Sequence, residues 1–456
     1  MTRFHIVGIG GVGMSAVARL LLARGDSVSG SDRGAWPLAR ALAADGATVA
    51  TSFDAENVGA ADVLIRSSAY GETNPEVAAA RAKGIPVWKR EDAWRELARG
   101  KRVVAIAGTH GKSTTTALAW TALRAGGLDP SLVCGAVLRD IGTNAYAGRG
   151  DILVIEADEY DRAFLALDPE VALVTNVEHD HIDIFPTHDD VKAAFLRFAA
   201  RIVPGGWLVA SADDPAARDL ADRVERDLAG REVVRYGLAS SATYRVVELV
   251  QRRDGMSFDL ASASTAPIAV SLRLSGTHNA KNAAGALAAA DALGVPAAAA
   301  AKSFAAFAGT ERRLEELGTV GGITVVDDYA HHPTEIRASI EAMRPRSKGR
   351  VIVLFQPHTP SRLRAFFDEF AAALRTADER VVAETFASAR ESSDSGAGAK
   401  ALAASAGATY VADAEAGAHA LADRARSGDV VLVLGAGDIR PAGTRLLELL
   451  RERAPV

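Results

Sequence analysis

The sequence predicts an α/β protein with three domains. Along most of its 456 residues, apolar strand-like runs alternate with Ala- and Arg-rich amphipathic stretches, which is the pattern of parallel sheets covered by helices. Twice, at residues 8–13 and 108–114, a glycine-rich loop joins such a strand to a helix. The character of the chain changes near residues 100 and 309, so we expect domains at residues 1–99, 100–309 and 310–456.

Strand-like runs in the first domain predict an open parallel sheet. They are residues 4–7, 27–30, 63–66 and 87–89. The first glycine loop, Gly-Ile-Gly-Gly-Val-Gly at residues 8–13, follows the first run and opens a helix. Asp32 lies nineteen residues beyond Gly13, at the end of the next strand-like segment. This spacing satisfies the dinucleotide-binding fingerprint, in which a diphosphate lies against a helix N-terminus.

The fingerprint leaves the ligand of the first domain open. Nicotinamide and flavin cofactors carry a diphosphate, and so do UDP-sugars. The motif alone therefore does not distinguish an oxidoreductase from a protein that binds a UDP-sugar. A second loop, suited to a triphosphate, follows about one hundred residues later. An oxidoreductase explains that second loop poorly.

The second loop, Gly-Thr-His-Gly-Lys-Ser-Thr at residues 108–114, opens the central domain and is named here the phosphate loop. It follows the apolar residues 102–107 and precedes an Ala- and Leu-rich helix. Its glycines let backbone N–H groups approach phosphate oxygens, Lys112 supplies a mobile charge, and Ser113 can ligate Mg²⁺. The loop therefore predicts binding of ATP or GTP.

Two polar clusters follow later strands of the central domain. Glu156 begins the acidic run Glu-Ala-Asp-Glu-Tyr-Asp, and residues 178–181 read Glu-His-Asp-His. Because ligands bind at the carboxyl ends of parallel strands, we expect Mg²⁺ at the first cluster and a second metal or a phosphate at the other. Farther on, residues 257–274 alternate as half-buried antiparallel strands do. Asn279 and Asn282 share one face of the next helix. They could be an N-cap residue and its neighbour, or their amide groups could contact an adenine base.

The third domain repeats the strand-to-helix arrangement. Its strand-like runs are residues 323–327, 351–355, 380–383 and 430–434. The first run ends in Asp-Asp-Tyr-Ala-His-His, and the second leads to His358 and Arg362. Cationic and imidazole groups at such turns can hold a carboxylate or a transferring phosphoryl group. Arg312 and Arg313, just after the joint, could swing toward the nucleotide.

Composition excludes several classes of protein. With 52 Lys and Arg against 57 Asp and Glu, the net charge of -5 argues against a nucleic-acid-binding protein. Cys134 is the only cysteine, which rules out an internal disulfide and fits a reducing cytoplasm. No signal peptide is recognisable, and the alanine-rich residues 283–308 carry charges and a proline, so we expect two buried helices there rather than a membrane span.

Eight motifs, in order along essentially the whole chain, resemble those of the Mur ligases, the ATP-dependent amide-forming enzymes of bacterial peptidoglycan synthesis. They are GIGGVGMS from Gly8, GTHGKST from Gly108, EADEYD from Glu156, TNVEHDH from Thr175, GTHNAKN from Gly276, ERR from Glu311, DDYAHHPTE from Asp327 and FQPHTPSR from Phe355. Within the family, the resemblance is to the members that add L-alanine. Ser113 stands where a threonine is usual, and Thr359 where some members have an arginine.

The resemblance implies a Rossmann-like N-terminal domain, a central P-loop ATPase-like domain with added antiparallel strands, and a Rossmann-like C-terminal domain. These would bind, respectively, UDP-N-acetylmuramate, ATP with Mg²⁺, and L-alanine. ATP would convert the lactyl carboxylate of the sugar into an acyl phosphate, and the amine of L-alanine would then displace phosphate to form an amide.

The resemblance also implies residue roles. The ATP contacts would be Gly108, Thr109, His110, Gly111, Lys112, Ser113, Thr114, Asn279, Asn282, Arg313 and Asp328. The UDP-sugar contacts would be Gly10, Gly11, Gly13, Asp32, Ser67 and Ser68. The metal ligands would be Ser113, Glu156 and His181, and the amino-acid contacts Tyr329, His331 and Arg362. The catalytic residues would be Lys112, His181, Arg313, Asp328 and His331.

Three alternatives remain at this point. The nearest is the recycling ligase of the same family, which joins a murein peptide to UDP-N-acetylmuramate, although the glycines and Met14 of the first motif favour the alanine-adding enzyme. The others are a nicotinamide-dependent oxidoreductase and a nucleotide-binding regulator without catalysis. The polar clusters argue against that regulator because they are intact.

Overall fold

The structure, a computed structural model, describes residues 1–262, 265–386 and 398–453. The described residues form three sheets, each flanked by helices. This arrangement confirms the predicted α/β class and its three sheet-forming regions.

The first sheet is entirely parallel. Its strands are β1 Arg3–Val7, β2 Ser27–Ser31, β3 Thr48–Ala50, β4 Val63–Arg66 and β5 Val87–Lys89, and its helices are α1 Val12–Ala23, α2 Pro37–Ala44, α3 Pro75–Ala82 and α4 Arg90–Ala98. The strand order is β3-β2-β1-β4-β5. The order reverses at β1, so the first glycine loop leaves β1 at the point where open sheets of this kind bind ligands.

The second sheet has ten strands. They are β6 Arg102–Ala107, β7 Ser131–Leu138, β8 Thr143–Tyr146, β9 Ile152–Glu156, β10 Val171–Val174, β11 Trp207–Ser211, β12 Glu232–Gly237, β13 Tyr244–Arg252, β14 Gly255–Ser262 and β15 Thr265–Leu272. The helices are α5 Lys112–Ala125, α6 His188–Ala199, α7 Pro215–Asp227, α8 Thr277–Ala292 and α9 Ala297–Ala301.

The order of the second sheet is β15-β14-β13-β12-β11-β10-β6-β9-β7-β8. Strand β6 pairs in parallel with β9 and β10, so the phosphate loop and both polar clusters leave the same edge of the sheet. Strand β8 pairs antiparallel with β7. At the opposite end the sheet is extended by β13, which was not predicted, and by β14 and β15, which lie in the region predicted to alternate as strands do. The alanine-rich region forms the two helices α8 and α9, as predicted.

The third sheet has one antiparallel edge strand, β16, on a parallel sheet. Its strands are β16 Glu315–Val320, β17 Ile323–Asp328, β18 Val351–Phe355, β19 Glu379–Ala383, β20 Thr409–Val411 and β21 Val430–Leu434. Its helices are α10 Pro333–Met343, α11 Pro360–Ala365, α12 Phe367–Leu374, α13 Ala399–Ala406, α14 Ala414–Ala422 and α15 Arg440–Arg453. The order is β16-β17-β21-β18-β19-β20, with a buried apolar cluster on each face.

The chain divides into two compact units. Met1–Val247 and Lys281–Phe307 make up most of the first unit, and the described residues from Ala308 onward make up most of the second. In the first unit, one buried cluster includes Ile6 of the first sheet and Ile155 of the second. Among the described residues, no helix has the length and apolar character needed to cross a membrane.

Candidate active site

The phosphate loop is shaped by contacts with the end of β10. Gly108 has a φ of +136°, and a Cβ atom added there would lie 2.0 Å from the hydroxyl oxygen of Thr175. The His110 amide donates to the side-chain oxygen of Asn176 at 2.8 Å, and the Asn176 amide group donates back to the His110 carbonyl at 3.0 Å. Asn176 therefore holds the loop, and Gly108 is the residue that permits the close approach.

Lys112, at the first turn of α5, is held by a buried carboxylate. Its Nζ donates to both Glu159 oxygens, at 3.1 and 2.9 Å, and to the Gly108 carbonyl at 2.6 Å. Burial lowers the pKa of Lys112, but the charges of Glu159 and Asp158 outweigh it, so the pKa is raised. Burial raises the pKa of Glu159, and the ammonium only partly offsets this. At neutral pH Lys112 is therefore charged.

Ser113 and Glu156 present adjacent oxygen ligands. The Ser113 hydroxyl donates to Glu156 Oε1 at 3.1 Å, close to the separation of about 3 Å expected for neighbouring ligands of an octahedral Mg²⁺ with bonds near 2.1 Å. The other Glu156 oxygen accepts the Gly135 amide at 2.6 Å. A Cβ at Gly135 would lie 2.5 Å from the carboxylate, so only glycine lets this pair form. The chemistry and spacing fit a magnesium ion.

The second cluster brings His181, but not His179, to the carboxylates. His181 Nε2 lies 3.7 Å from Glu159, and ligand atoms of His181, Glu159 and Asp158 all lie within 4.8 Å of one another. His179 Nε2 instead contacts the Phe185 carbonyl at 2.9 Å, which is a structural role. Of the two histidines around Asp180, His181 is therefore the one placed to contact a metal or a phosphate.

Arg90 lies between the two glycine loops. Its guanidinium is 3.1 Å from Asp158, and its Cδ would lie 3.6 Å from a Cβ added at Gly13. Burial raises the pKa of Asp158, but Arg90, Lys112 and His181 outweigh it and the pKa is lowered. The positive charge of Arg90 thus lies beside the N-terminus of α1 and beside the carboxylates that face the phosphate loop.

The first glycine loop packs tightly against its neighbours. Gly8 has a φ of +80°, and a Cβ there would lie 2.7 Å from the Tyr70 ring and 3.2 Å from Ser67. Ser67 and Ser68 follow β4, beside the loop, as the sheet order requires. Gly11 caps α1 and accepts the Ser15 amide at 2.8 Å.

Asp32 is buried and holds this loop. Its carboxylate accepts the Gly10 amide at 2.9 Å, the Arg33 amide at 2.7 Å and Trp36 Nε1 at 3.3 Å. These bonds are all internal, so the structure gives Asp32 a positioning role, and its contact with a nucleotide stays a prediction.

The two asparagines of α8 differ in their surroundings. Asn282 lies over the phosphate loop, where a Cβ at Gly111 would be 2.9 Å from its Oδ1. Asn279 donates from its side-chain amide to the Ser275 carbonyl at 2.8 Å. Both are buried, and adenine contact stays a prediction for each.

In the second unit, Asp328 ends β17 as a buried carboxylate. It accepts the amides of Leu314 and Ala330, each at 2.8 Å. Burial raises its pKa to about 7, with Arg313 opposing and Glu335 adding to the shift. Arg313 lies 5.1 Å from the Tyr329 ring centroid and 3.8 Å from Glu335. Asp328 therefore titrates near neutral pH.

The predicted amino-acid contacts lie together. The rings of Tyr329 and His331 are 5.4 Å apart, and His331 is 6.3 Å from His358. Arg362 donates to the His358 carbonyl at 2.7 Å, and His358 stacks on Phe386 at 5.4 Å. The structure thus brings Tyr329, His331 and Arg362 into one cluster. His358, which the sequence places at the same strand-to-helix turn as Arg362, also belongs to it, and Phe386 was not predicted.

Several residues of the site were not assigned an individual role from the sequence. They are Arg90, Gly135, Glu159, Asn176 and Trp36. Glu159 and Asn176 stood in recognised motifs, but nothing local indicated their partners. Arg90 and Gly135 stood in no motif, and only the fold places them at the site.

Comparison with known proteins assigns the family. The chain matches the Mur ligase family, catalytic domain over residues 3–102, the Mur ligase middle domain over 106–290, and the Mur ligase, glutamate ligase domain over 312–437. It is 44% identical to the UDP-N-acetylmuramate--L-alanine ligase of Paenarthrobacter aurescens, covering 98% of this chain and 97% of the relative. The protein of that name from Streptomyces coelicolor is 43% identical, covering 99% and 98%.

Solved structures agree in fold. The UDP-N-acetylmuramate-alanine ligase of Thermotoga maritima superposes with a TM-score of 0.84 at 27% identity, covering 99% of this chain and 100% of that one. A murein peptide ligase of Psychrobacter arcticus superposes with a TM-score of 0.74 at 24% identity, covering both chains completely, which supports the fold alone. The chain belongs to the Mur ligase family.

Proposed function

We propose that this protein joins L-alanine to the lactyl carboxylate of UDP-N-acetylmuramate, using ATP. The observation that carries the proposal is the arrangement of the first unit, where Arg90 lies between the first glycine loop and the carboxylates around Lys112. Such an arrangement suits a reaction that brings an anionic sugar nucleotide to a nucleoside triphosphate. The names of the relatives support the choice of substrates.

The reaction has two steps. A lactyl carboxylate oxygen attacks the γ-phosphorus of ATP, giving an acyl phosphate and ADP. The amine of L-alanine then attacks the acyl carbon, phosphate leaves with the bonding electrons, and the nitrogen loses a proton to give the amide. Phosphoryl transfer between two anions depends mainly on charge neutralisation and alignment.

Lys112 and His181 would supply charge and alignment for the first step. Lys112 is already charged and held beside the loop, and it would exchange Glu159 for a phosphate oxygen when ATP binds. Ser113 and Glu156 would hold Mg²⁺, which neutralises phosphate charge when bound. Thr109, His110, Gly111 and Thr114 would line the phosphates, with Asn279 and Asn282 near the adenine.

The third domain would bind the amine substrate. Arg362 would hold the carboxylate of L-alanine, and Tyr329 and His331 would orient its amine. Arg313 and Asp328 would reach the nucleotide. We retain residues 1–99, 100–309 and 310–456 as proposed domain boundaries, with a cytoplasmic location.

The test is to identify the product. Incubation of the protein with UDP-N-acetylmuramate, ATP, Mg²⁺ and L-alanine should give a sugar nucleotide heavier by one alanine residue in mass spectrometry, with one ADP for each amide. Product formed only when a murein peptide replaces L-alanine would assign the recycling activity instead. Reduction of a nicotinamide cofactor without amide formation would refute the ligase.

A further inference from the structure

Trp36 is a large aromatic side chain that is held in place yet exposed. The residue is 53% exposed, and it adjoins the first glycine loop. The indole Nε1 donates to Asp32 at 3.3 Å, and a Cβ added at Gly10 would lie 2.9 Å from its Cδ1 atom. Trp36 is also the N-cap residue of α2, followed by Pro37, so its backbone is restrained as well.

The position of Trp36 follows from the order of groups along a bound nucleotide. In this fold the diphosphate lies at the glycine loop, and the acidic residue at the end of the second strand lies near the ribose. The base continues outward from the ribose. Trp36 is hydrogen-bonded to Asp32, so a base that extends beyond a ribose bound at Asp32 would pass close to the indole.

The other aromatic ring at the loop is already packed. Tyr70 lies against Gly8, contacts Phe53 with ring centroids 4.7 Å apart, and is covered by the guanidinium of Arg33 at 5.6 Å. Within the described residues, no aromatic ring or cation packs against the indole of Trp36. Of the two rings at the loop, Trp36 is therefore the more exposed and the one available to a ligand.

We propose that Trp36 stacks on the uracil base of the UDP-sugar and that Asp32 is the positioning residue that orients the indole. The inference rests on the proposed function and names a contact within its sugar-nucleotide site. Every nucleobase has a π face that an aromatic side chain can cover, and removing such a ring costs about tenfold or more in affinity. The exposed indole therefore contributes to nucleotide affinity rather than to the core.

The test measures binding of UDP and of UDP-N-acetylmuramate by calorimetry to the full-length protein. Trp36→Leu keeps an apolar side chain without a π face. We expect it to lower the affinity for both ligands by the same factor of about ten or more. Trp36→Phe keeps a ring but loses the Nε1 donor to Asp32, so it should bind both ligands more tightly than Trp36→Leu and more weakly than wild type; binding equal to wild type would refute the positioning role of Asp32. Leu238→Ala is the matched control, because Leu238 is also an exposed apolar residue, and it should bind both ligands normally.

Three outcomes would overturn the inference. Unchanged UDP binding by Trp36→Leu, with the wild type binding normally, would refute stacking while leaving the proposed function intact. Loss confined to UDP-N-acetylmuramate would place the ring against the sugar instead of the base. A wild type that binds neither ligand would refute the proposed function itself. Equal thermal unfolding midpoints for the variants would confirm that folding is not the cause of a loss.

Discussion

Replacing Lys112 with alanine should affect stability as well as activity. The Glu159 side chain is 3% exposed, and Lys112 is its main source of compensating charge, at 2.9 Å. In Lys112→Ala the carboxylate keeps the imidazole of His181, at 3.7 Å, and has Asp158 as a like-charged neighbour. Removing one partner of a buried ion pair costs about 3–5 kcal/mol. We expect a loss of that size in the unfolding transition of the first unit.

The sign of the pH dependence follows from Glu159. Burial already raises the pKa of Glu159, and the loss of the Lys112 charge would raise that pKa further. A carboxyl group whose pKa is higher in the folded state loses stability as the pH rises from its unfolded pKa through its folded pKa. The stability difference between wild type and Lys112→Ala should therefore be larger at pH 8 than at pH 5.

The double variant Lys112→Ala/Glu159→Gln separates stability from catalysis. Because the buried charge is removed together with its partner, urea unfolding at pH 8 should recover most of the lost free energy. Turnover should stay absent in both variants, since neither supplies a cation to the phosphates. A Lys112→Ala variant as stable as wild type at pH 8, or a double variant as unstable as Lys112→Ala, would contradict this role of Glu159.

Three further predictions concern single positions. Gly108→Ala should lose at least about 3 kcal/mol and its nucleotide binding, because the new Cβ would meet Thr175 at 2.0 Å. Gly127→Ala is the control, because Gly127 also has a positive φ but a Cβ there would meet no other atom, and it should lose only about 1–2 kcal/mol. Equal losses of stability for the two variants in calorimetry would show that the contact with Thr175 does not matter. Asp328 has a pKa raised to about 7 in the folded protein, so its ionisation opposes folding. The free energy of unfolding should therefore fall by up to about 4 kcal/mol as the pH rises from 4 to 7. Asp328→Asn should remove that slope in thermal unfolding, and an unchanged slope would refute the assignment. Ser113→Ala should raise the Mg²⁺ concentration for half-maximal turnover while Ser113→Thr keeps it low; equal Mg²⁺ titrations would exclude the hydroxyl as a ligand.

The strands that carry the glycine loops could be predicted because their signals are local. An apolar run, a glycine loop and a helical stretch occur consecutively at β6 and α5, and the structure places Arg102–Ala107 and Lys112–Ala125 there. Strand β3, Thr48–Ala50, was not predicted, because no glycine loop or extended apolar run marks it in the sequence. It is fixed by pairing with β2.

Long-range partners could not be predicted in the same way. The bonds from Lys112 to Glu159 and from Gly135 to Glu156 join different strands and loops, and no spacing rule relates their positions. Arg90 belongs to α4 and reaches Asp158 only because the first two sheets share one core. The motifs thus indicated which groups take part, and tertiary packing decides what each of them contacts.

The most direct test of the central claim is phosphate release measured with each substrate omitted in turn. We expect release only when UDP-N-acetylmuramate, ATP, Mg²⁺ and L-alanine are present together. Equal release with a tripeptide in place of L-alanine, or release that does not depend on the sugar nucleotide, would contradict it.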